Sequence, residues 1–201
     1  MLAREEARAR ADETMVTDDR INLLARVAQM PHADHADSAQ DRSILTLAAA
    51  SYGARPNDES TVPTGFDVLA AALFERIVEG AYLVATADGV FDETERQTFV
   101  RVVTVACGGA VTTRLVEALI ADLADQLAED GLDTRLGRIG RGLLRPEHAH
   151  EILRIAALIA QCSEDVSAVE RSVLEKLAVA CGLEPGHVDG ALEDVRKALH
   201  G

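Results

Sequence analysis

The sequence predicts an all-α protein, a multi-helical bundle containing an internal helix-turn-helix duplication. Apolar residues recur at helical spacing in one segment after another, and no strand-like alternation competes with them. Aromatic residues make up only 3% of the chain and tryptophan is absent, which leaves the core to Leu, Val, Ile and Ala and favours close-packed helices over a sheet. The duplication is read from one stretch, AYLVATADGVFDETER (Ala81 to Arg96), which returns in altered form near the C-terminus. Glu95-Arg96 and Glu170-Arg171 stand 75 positions apart, and at that offset Ala81, Leu83 and Ala85 match Ala156, Leu158 and Ala160. With one residue deleted, Val105-Ala106-Cys107-Gly108 then falls on Val179-Ala180-Cys181-Gly182.

Taken in order, residues 1–14 are rich in Ala, Arg and Glu without an apolar stripe. Ile21, Leu23, Leu24, Val27 and Met30 give a short amphipathic helix that Pro31 stops, expected to dock on the main body. A polar loop follows, then a short apolar helix from Ile44 to Ala54, then a linker carrying Pro56 and Pro63. Residues 1–62 thus read as an N-terminal extension and residues 63–201 as the helical domain. Thr64, with Asp67 three residues on, is an expected N-cap for the longest helix, whose stripe runs through Phe66, Leu69, Leu73, Ile77, Val84 and Ala87. Asp92 caps the next, with Phe99, Val102, Val103 and Ala106 inward and a stop at Gly108-Gly109. Thr112 or Thr113 opens a third through Leu115, Leu119, Leu123 and Leu127, and Leu132 to Leu144 forms a weaker one with glycines inside it. Pro146 suits a first helical position, and Ile152, Ile155, Ala156 and Ile159 repeat the long apolar helix. Ser167 repeats the cap, Val169, Val173, Leu174, Leu177 and Val179 mark the helix after it, and Pro185 opens the last through Val188, Leu192, Val195 and Leu199.

The charge narrows the partners. With 34 acidic against 20 basic side chains the net charge is -14, which repels phosphate backbones, argues against nucleic acid and suits cations or basic protein surfaces. The N-terminal MLAREEARAR has charges where a signal peptide needs an apolar run, and no stretch has the roughly 18 apolar residues of a spanning helix, so a cytoplasmic protein that does not span the membrane is expected. Cys107, Cys162 and Cys181 form no CxxC pair and sit in apolar helical stretches, as reduced core thiols do.

Asp92-x-x-Glu95 and Ser167-x-x-Glu170 both have capping-box spacing, and Gly89 suits a turn that needs positive φ. Asp88 to Glu95 also follows the second half of an EF-hand loop, but Val84 and Thr86 stand at the first and third loop positions, so a self-contained EF-hand is excluded. Asp88, Asp92 and Glu95 remain candidate ligands for a divalent cation, calcium or another, if a second segment supplies more oxygens. In the second copy Ser163 and Glu164 replace Asp88 and Gly89, while Glu170 is retained and joins the candidates along with Glu164 and Asp165. His32 and His35 beside Asp34 and Asp37 have the chemistry of a zinc chelate but read as a solvated loop. Glu147-x-x-His150 and Glu184-x-x-His187 resemble the paired elements of di-iron carboxylate bundles, yet both stand at helix starts beside proline and lack two further inward glutamates. No nucleophile arrangement or phosphate loop is present, so no catalytic residue is assigned.

ADGVFDETER, followed by an apolar helix ending in Cys-Gly, and the later IAQCSEDVSAVERSVLEKLAVACGL resemble the TerB-like (tellurite resistance) domain family over roughly residues 64–200. Asp88, Gly89 and Glu95 match its first motif and Glu170 its second, while Ser163-Glu164 departs from the second Asp-Gly that is common there. The resemblance implies a compact all-helical domain with an acidic patch at paired turns. It also implies no enzyme activity, a role in tellurite resistance and wider stress responses, and protein partners among membrane-associated or calcium-binding stress proteins. An oxyanion such as tellurite would give the thiols chemical work. The expected function is therefore a non-catalytic cytoplasmic module whose acidic patch binds a cation or a protein. A metal-dependent enzyme of di-iron type and a purely structural helical domain are the alternatives.

Overall fold

The computed structural model describes residues 17–31, 43–55, 66–89, 91–162 and 166–200, and every regular element among them is an α-helix. In chain order these are α1 (Asp18–Gln29), α2 (Ile44–Gly53), α3 (Val68–Ala85), α4 (Glu93–Ala106), α5 (Thr113–Asp130), α6 (Leu132–Arg141), α7 (Pro146–Ala160), α8 (Ala168–Ala180) and α9 (His187–His200). The segment 1–14, the histidine loop with His32, Asp34, His35 and Asp37, Thr64, and Ser163, Glu164 and Asp165 lie outside the described residues. No helix among the described residues is long and apolar enough to cross a membrane.

Helices buried all round belong at the centre of a bundle, and α3 and α7 have that pattern. Every residue from Phe74 to Val84 except Glu75 and Arg76 is buried, as is every residue from Glu151 to Ala160. The two pack on each other where Gly80 admits Ile152, whose Cγ2 would lie 2.8 Å from a Cβ at that position. Around this pair, α2 packs on α3, with the Tyr52 and Phe74 ring centres 4.7 Å apart, α9 packs on α7, and α6 lies along α8. Backbone meets backbone at two points, between α2 and the loop after α4 and between α6 and α8. A Cβ on Gly53 would sit 1.8 Å from the Ala110 carbonyl oxygen, and one on Gly140 would sit 1.8 Å from that of Ala180.

Local signals explain most boundaries. Asp67 itself caps α3, its Oδ1 accepting from the N–H groups of Leu69 (2.8 Å) and Ala70 (3.1 Å), in place of the expected cap at Thr64. Thr112 caps α5, and the expected helix through Leu144 ends at Arg141. Some expected core positions are on the surface: Leu69 is 63% exposed and Val179 57%, and Leu115 and Val169 are exposed as well. Leu69 stands in the first turn of α3, before the helix enters the core, and Val179 faces outward at the end of α8.

The helices before residue 62 share the core of those after it. Ile21, Leu24 and Val27 of α1 and Leu45, Ala49 and Tyr52 of α2 are buried in one continuous hydrophobic cluster with α3 to α9. A buried ion pair on α7 ties them in. Glu151 is 1% exposed, and its Oε1 accepts from the Leu45 N–H (3.0 Å) in the first turn of α2. Arg154 donates from Nε to Glu151 Oε2 (2.8 Å), from Nη1 to the Val27 carbonyl (2.8 Å) and from Nη2 to that of Ala28 (2.9 Å). The last carbonyls of a helix have no partner within it and carry the negative end of its dipole, so a guanidinium satisfies both needs of α1. In turn, the Gln29 side-chain amide donates to the Val105 (3.3 Å) and Ala106 (3.1 Å) carbonyls at the end of α4. A second buried pair, Glu79 with Arg135 (2.6 Å), joins α3 to α6; burial pushes the Glu79 carboxyl above its usual range against the pull of Arg135.

Removing one member of a buried pair strands the other. Arg154→Leu is expected to lower the unfolding free energy by about 3–5 kcal/mol in urea titrations. Glu151→Leu with Arg154→Leu is expected to cost less than the two single changes added, by at least about 1 kcal/mol. Strict additivity would refute the coupling.

Candidate functional site

The described site residues are divided between two turns, with Asp88, Gly89, Asp92 and Glu95 after α3 and Ser167 and Glu170 after α7. At the first, Thr86 caps the end of α3, its hydroxyl donating to the Tyr82 carbonyl (3.0 Å), and the Gly89 N–H closes the turn on the Thr86 carbonyl (3.0 Å). Gly89 takes φ 81°, a left-handed conformation that glycine adopts at little cost. Beneath it Tyr82, Phe91 and Phe99 meet edge to face, with ring centres 5.5, 6.0 and 6.4 Å apart. Such contacts add to the area they bury, and three of the six aromatic residues in the chain are spent on holding this one turn. Val84, at the first position of the would-be calcium loop, is fully buried, in keeping with the exclusion of an EF-hand.

The capping boxes form at both turns. Asp92 Oδ1 accepts from the Glu95 N–H (2.9 Å) while Glu95 Oε2 accepts from the Asp92 N–H (3.0 Å). Ser167 Oγ accepts from the Glu170 N–H (3.2 Å) while Glu170 Oε2 accepts from the Ser167 N–H (2.8 Å). Asp88, Asp92, Glu93 and Glu95 are exposed and Glu170 is half-buried. Glu93 receives Nε and Nη2 of Arg96 (2.9 and 2.8 Å) and the Gln97 amide (2.7 Å), and these donors hold its carboxyl down at about 2. Glu93 therefore stays ionised as the partner of Arg96. One oxygen each of Asp92, Glu95 and Glu170 is engaged in a cap, and no three His, Cys, Asp or Glu side chains among the described residues come together as metal ligands.

The second turn is fastened differently. Arg20 of α1 donates to the Gln161 carbonyl (3.1 Å), and the Gln161 amide donates to the Leu192 carbonyl of α9 (2.7 Å). Cys107 is buried, and Cys162 and Cys181 are half-buried; all three are free, and burial pushes each thiol up to about 12. Thiols held so far above neutrality carry almost no thiolate, so their surroundings suit packing.

A feature that sequence reasoning left apart is a groove of about 710 Å³ between the end of α1, α7 and α9. Its walls are apolar at Val27, Leu153, Val195 and Ala198 and polar at His150, Arg154, Glu184, His187 and Lys197. Here the histidines of the two Glu-x-x-His elements meet, with ring centres 5.4 Å apart and planes at 60°. Each element was visible in the sequence; their meeting depends on how α9 folds back along α7.

Comparison of the chain with protein-family models, with curated proteins and with solved structures finds no match in any of the three.

Two outcomes follow from this geometry. Glu95→Ala and Ser167→Ala are each expected to lower stability by on the order of 1 kcal/mol in chemical denaturation, since each breaks one capping box. Iodoacetamide is expected to modify the three thiols of the folded chain at least about tenfold more slowly than those of the denatured chain. A thiol that reacts as fast before unfolding as after it would contradict the packing role.

Proposed function

We propose that this chain is a non-catalytic helical binding module of the TerB, tellurite-resistance type, acting in the cytoplasm as a stress-response component. In this reading the two capped turns are copies of one helix-turn-helix unit, and the acidic surface they carry receives a basic segment of a protein partner. The observation that carries it is the first turn. Asp88, Asp92, Glu93 and Glu95 are exposed on a backbone held by a capping box and an aromatic triad, and Glu93 stays ionised well below neutral pH.

A rigid, pre-charged surface loses little entropy when a cationic partner docks, and a net charge of -14 raises the rate of encounter with such partners. The caps already use one oxygen of each of Asp92, Glu95 and Glu170, which favours a Lys- or Arg-rich protein surface, able to share the remaining oxygens, over a bare cation. By the resemblance, such a partner belongs among membrane-associated or calcium-binding stress proteins.

The test is fluorescence anisotropy with a labelled Lys-rich peptide at low and high salt, with calcium, magnesium, manganese and zinc titrations alongside. Binding that weakens with salt, and by at least about tenfold in the Asp88→Lys/Glu93→Lys double variant, is expected. Equal binding by wild type and double variant removes the acidic turn as the site. A cation held at the turn instead would show as calcium or magnesium uptake by wild type that Asp88→Ala abolishes.

A further inference from the structure

The groove between α7 and α9 carries chemistry that the acidic turns do not use. We propose that His150 and His187 together form a binding site for a zinc-class divalent cation, one that clamps α9 onto α7. The site is independent of the turns, since it uses neither their residues nor their charge.

Three observations lead there. The two imidazoles come from different helices yet stand 5.4 Å apart between ring centres. Two imidazoles bound through a nitrogen to one tetrahedral zinc ion, with Zn–N bonds of about 2 Å, put their ring centres roughly 5 Å apart, a spacing that the present pair matches. The His187 ring is oriented by its own backbone, because Nδ1 lies 3.1 Å from the Glu184 carbonyl oxygen. A carbonyl only accepts, so Nδ1 is the donor, and in the neutral imidazole Nε2 is then the nitrogen left for a metal, the arrangement in which metal-binding histidines are held by an outer partner. Finally, both rings line an open groove of about 710 Å³, which leaves room for the water or outside ligand that must complete the coordination sphere.

The ligand set also defines the class of ion. Imidazole nitrogen favours zinc, copper and nickel, while calcium and magnesium require oxygen donors. No third His, Cys, Asp or Glu is grouped with the pair among the described residues, so the site is weaker than a four-ligand structural zinc centre. It also differs from a di-iron site: the buried Glu151 on α7 is committed to Arg154 and the Leu45 N–H.

Isothermal titration of the full chain with zinc chloride, paired with thermal unfolding with and without zinc, decides the matter. Zinc is expected to bind wild type and raise its Tm, because the two imidazoles are held side by side only in the folded chain. His150→Asn and His187→Asn, with unchanged helical circular dichroism, are each expected to weaken zinc binding at least about tenfold and to abolish the rise in Tm. His32→Asn/His35→Asn and Asp88→Ala are expected to leave both unchanged, and calcium and magnesium to have no effect in this assay that depends on His150 or His187. Absence of zinc binding by wild type, zinc binding equal to wild type in both single histidine variants, or its loss in the His32/His35 variant would each overturn the proposal.

Discussion

The ion pair between Glu151 and Arg154 is the interaction on which the rest of the arrangement depends. One side chain supplies an acceptor to the start of α2, and the other supplies donors to the end of α1. Two helix termini would otherwise bury orphan backbone groups, and an apolar substitute for the pair would leave both unsatisfied. The pair therefore works chiefly as a director: its desolvation offsets much of its Coulombic attraction, and what remains is a requirement that α1 and α2 meet α7 at one register. In turn, α1 caps through Gln29 the end of α4, the helix whose start carries the acidic turn.

The acidic turn and the histidine groove make an instructive contrast. The turn is held on its described residues by a cap, an aromatic triad and a left-handed glycine, which fix where its carboxylates start from the backbone. The groove is open, and its two imidazoles touch only because α9 packs on α7. The first suits recognition by charge at a fixed surface, and the second suits a ligand that joins elements.

Much of the fold was legible because its signals are local. Asp92, Thr112, Ser167 and Pro146 mark helix starts through bonds or ring constraints that span three residues or fewer, and each stands where expected. Periodicity found the stripes but not their ends: Leu69 and Val179 continue the apolar spacing beyond the point where neighbouring helices cover it. The membership of α1 and α2 in the core was harder to see, since the proline-bearing linker after them has the composition of a boundary, while the bonds that hold them come from Glu151 and Arg154, some 100 positions away. For the same reason the capping glutamates were recognisable from spacing alone, whereas the contact of His150 with His187 requires knowledge of which helices are neighbours.

The close approaches at Gly53 and Gly140 bear on how relatives of this chain would be recognised. At both points a backbone carbonyl occupies the space that any other residue's Cβ would take, so the spacing of α2 from the loop after α4, and of α6 from α8, is set by main-chain radii. Side-chain repacking elsewhere cannot absorb a change at such a joint, whereas a surface carboxylate outside the caps can be exchanged without disturbing the frame. Glycines at these two positions, more than the acidic turn, are thus the mark by which a distant chain sharing this frame could be told from one that shares only its charge.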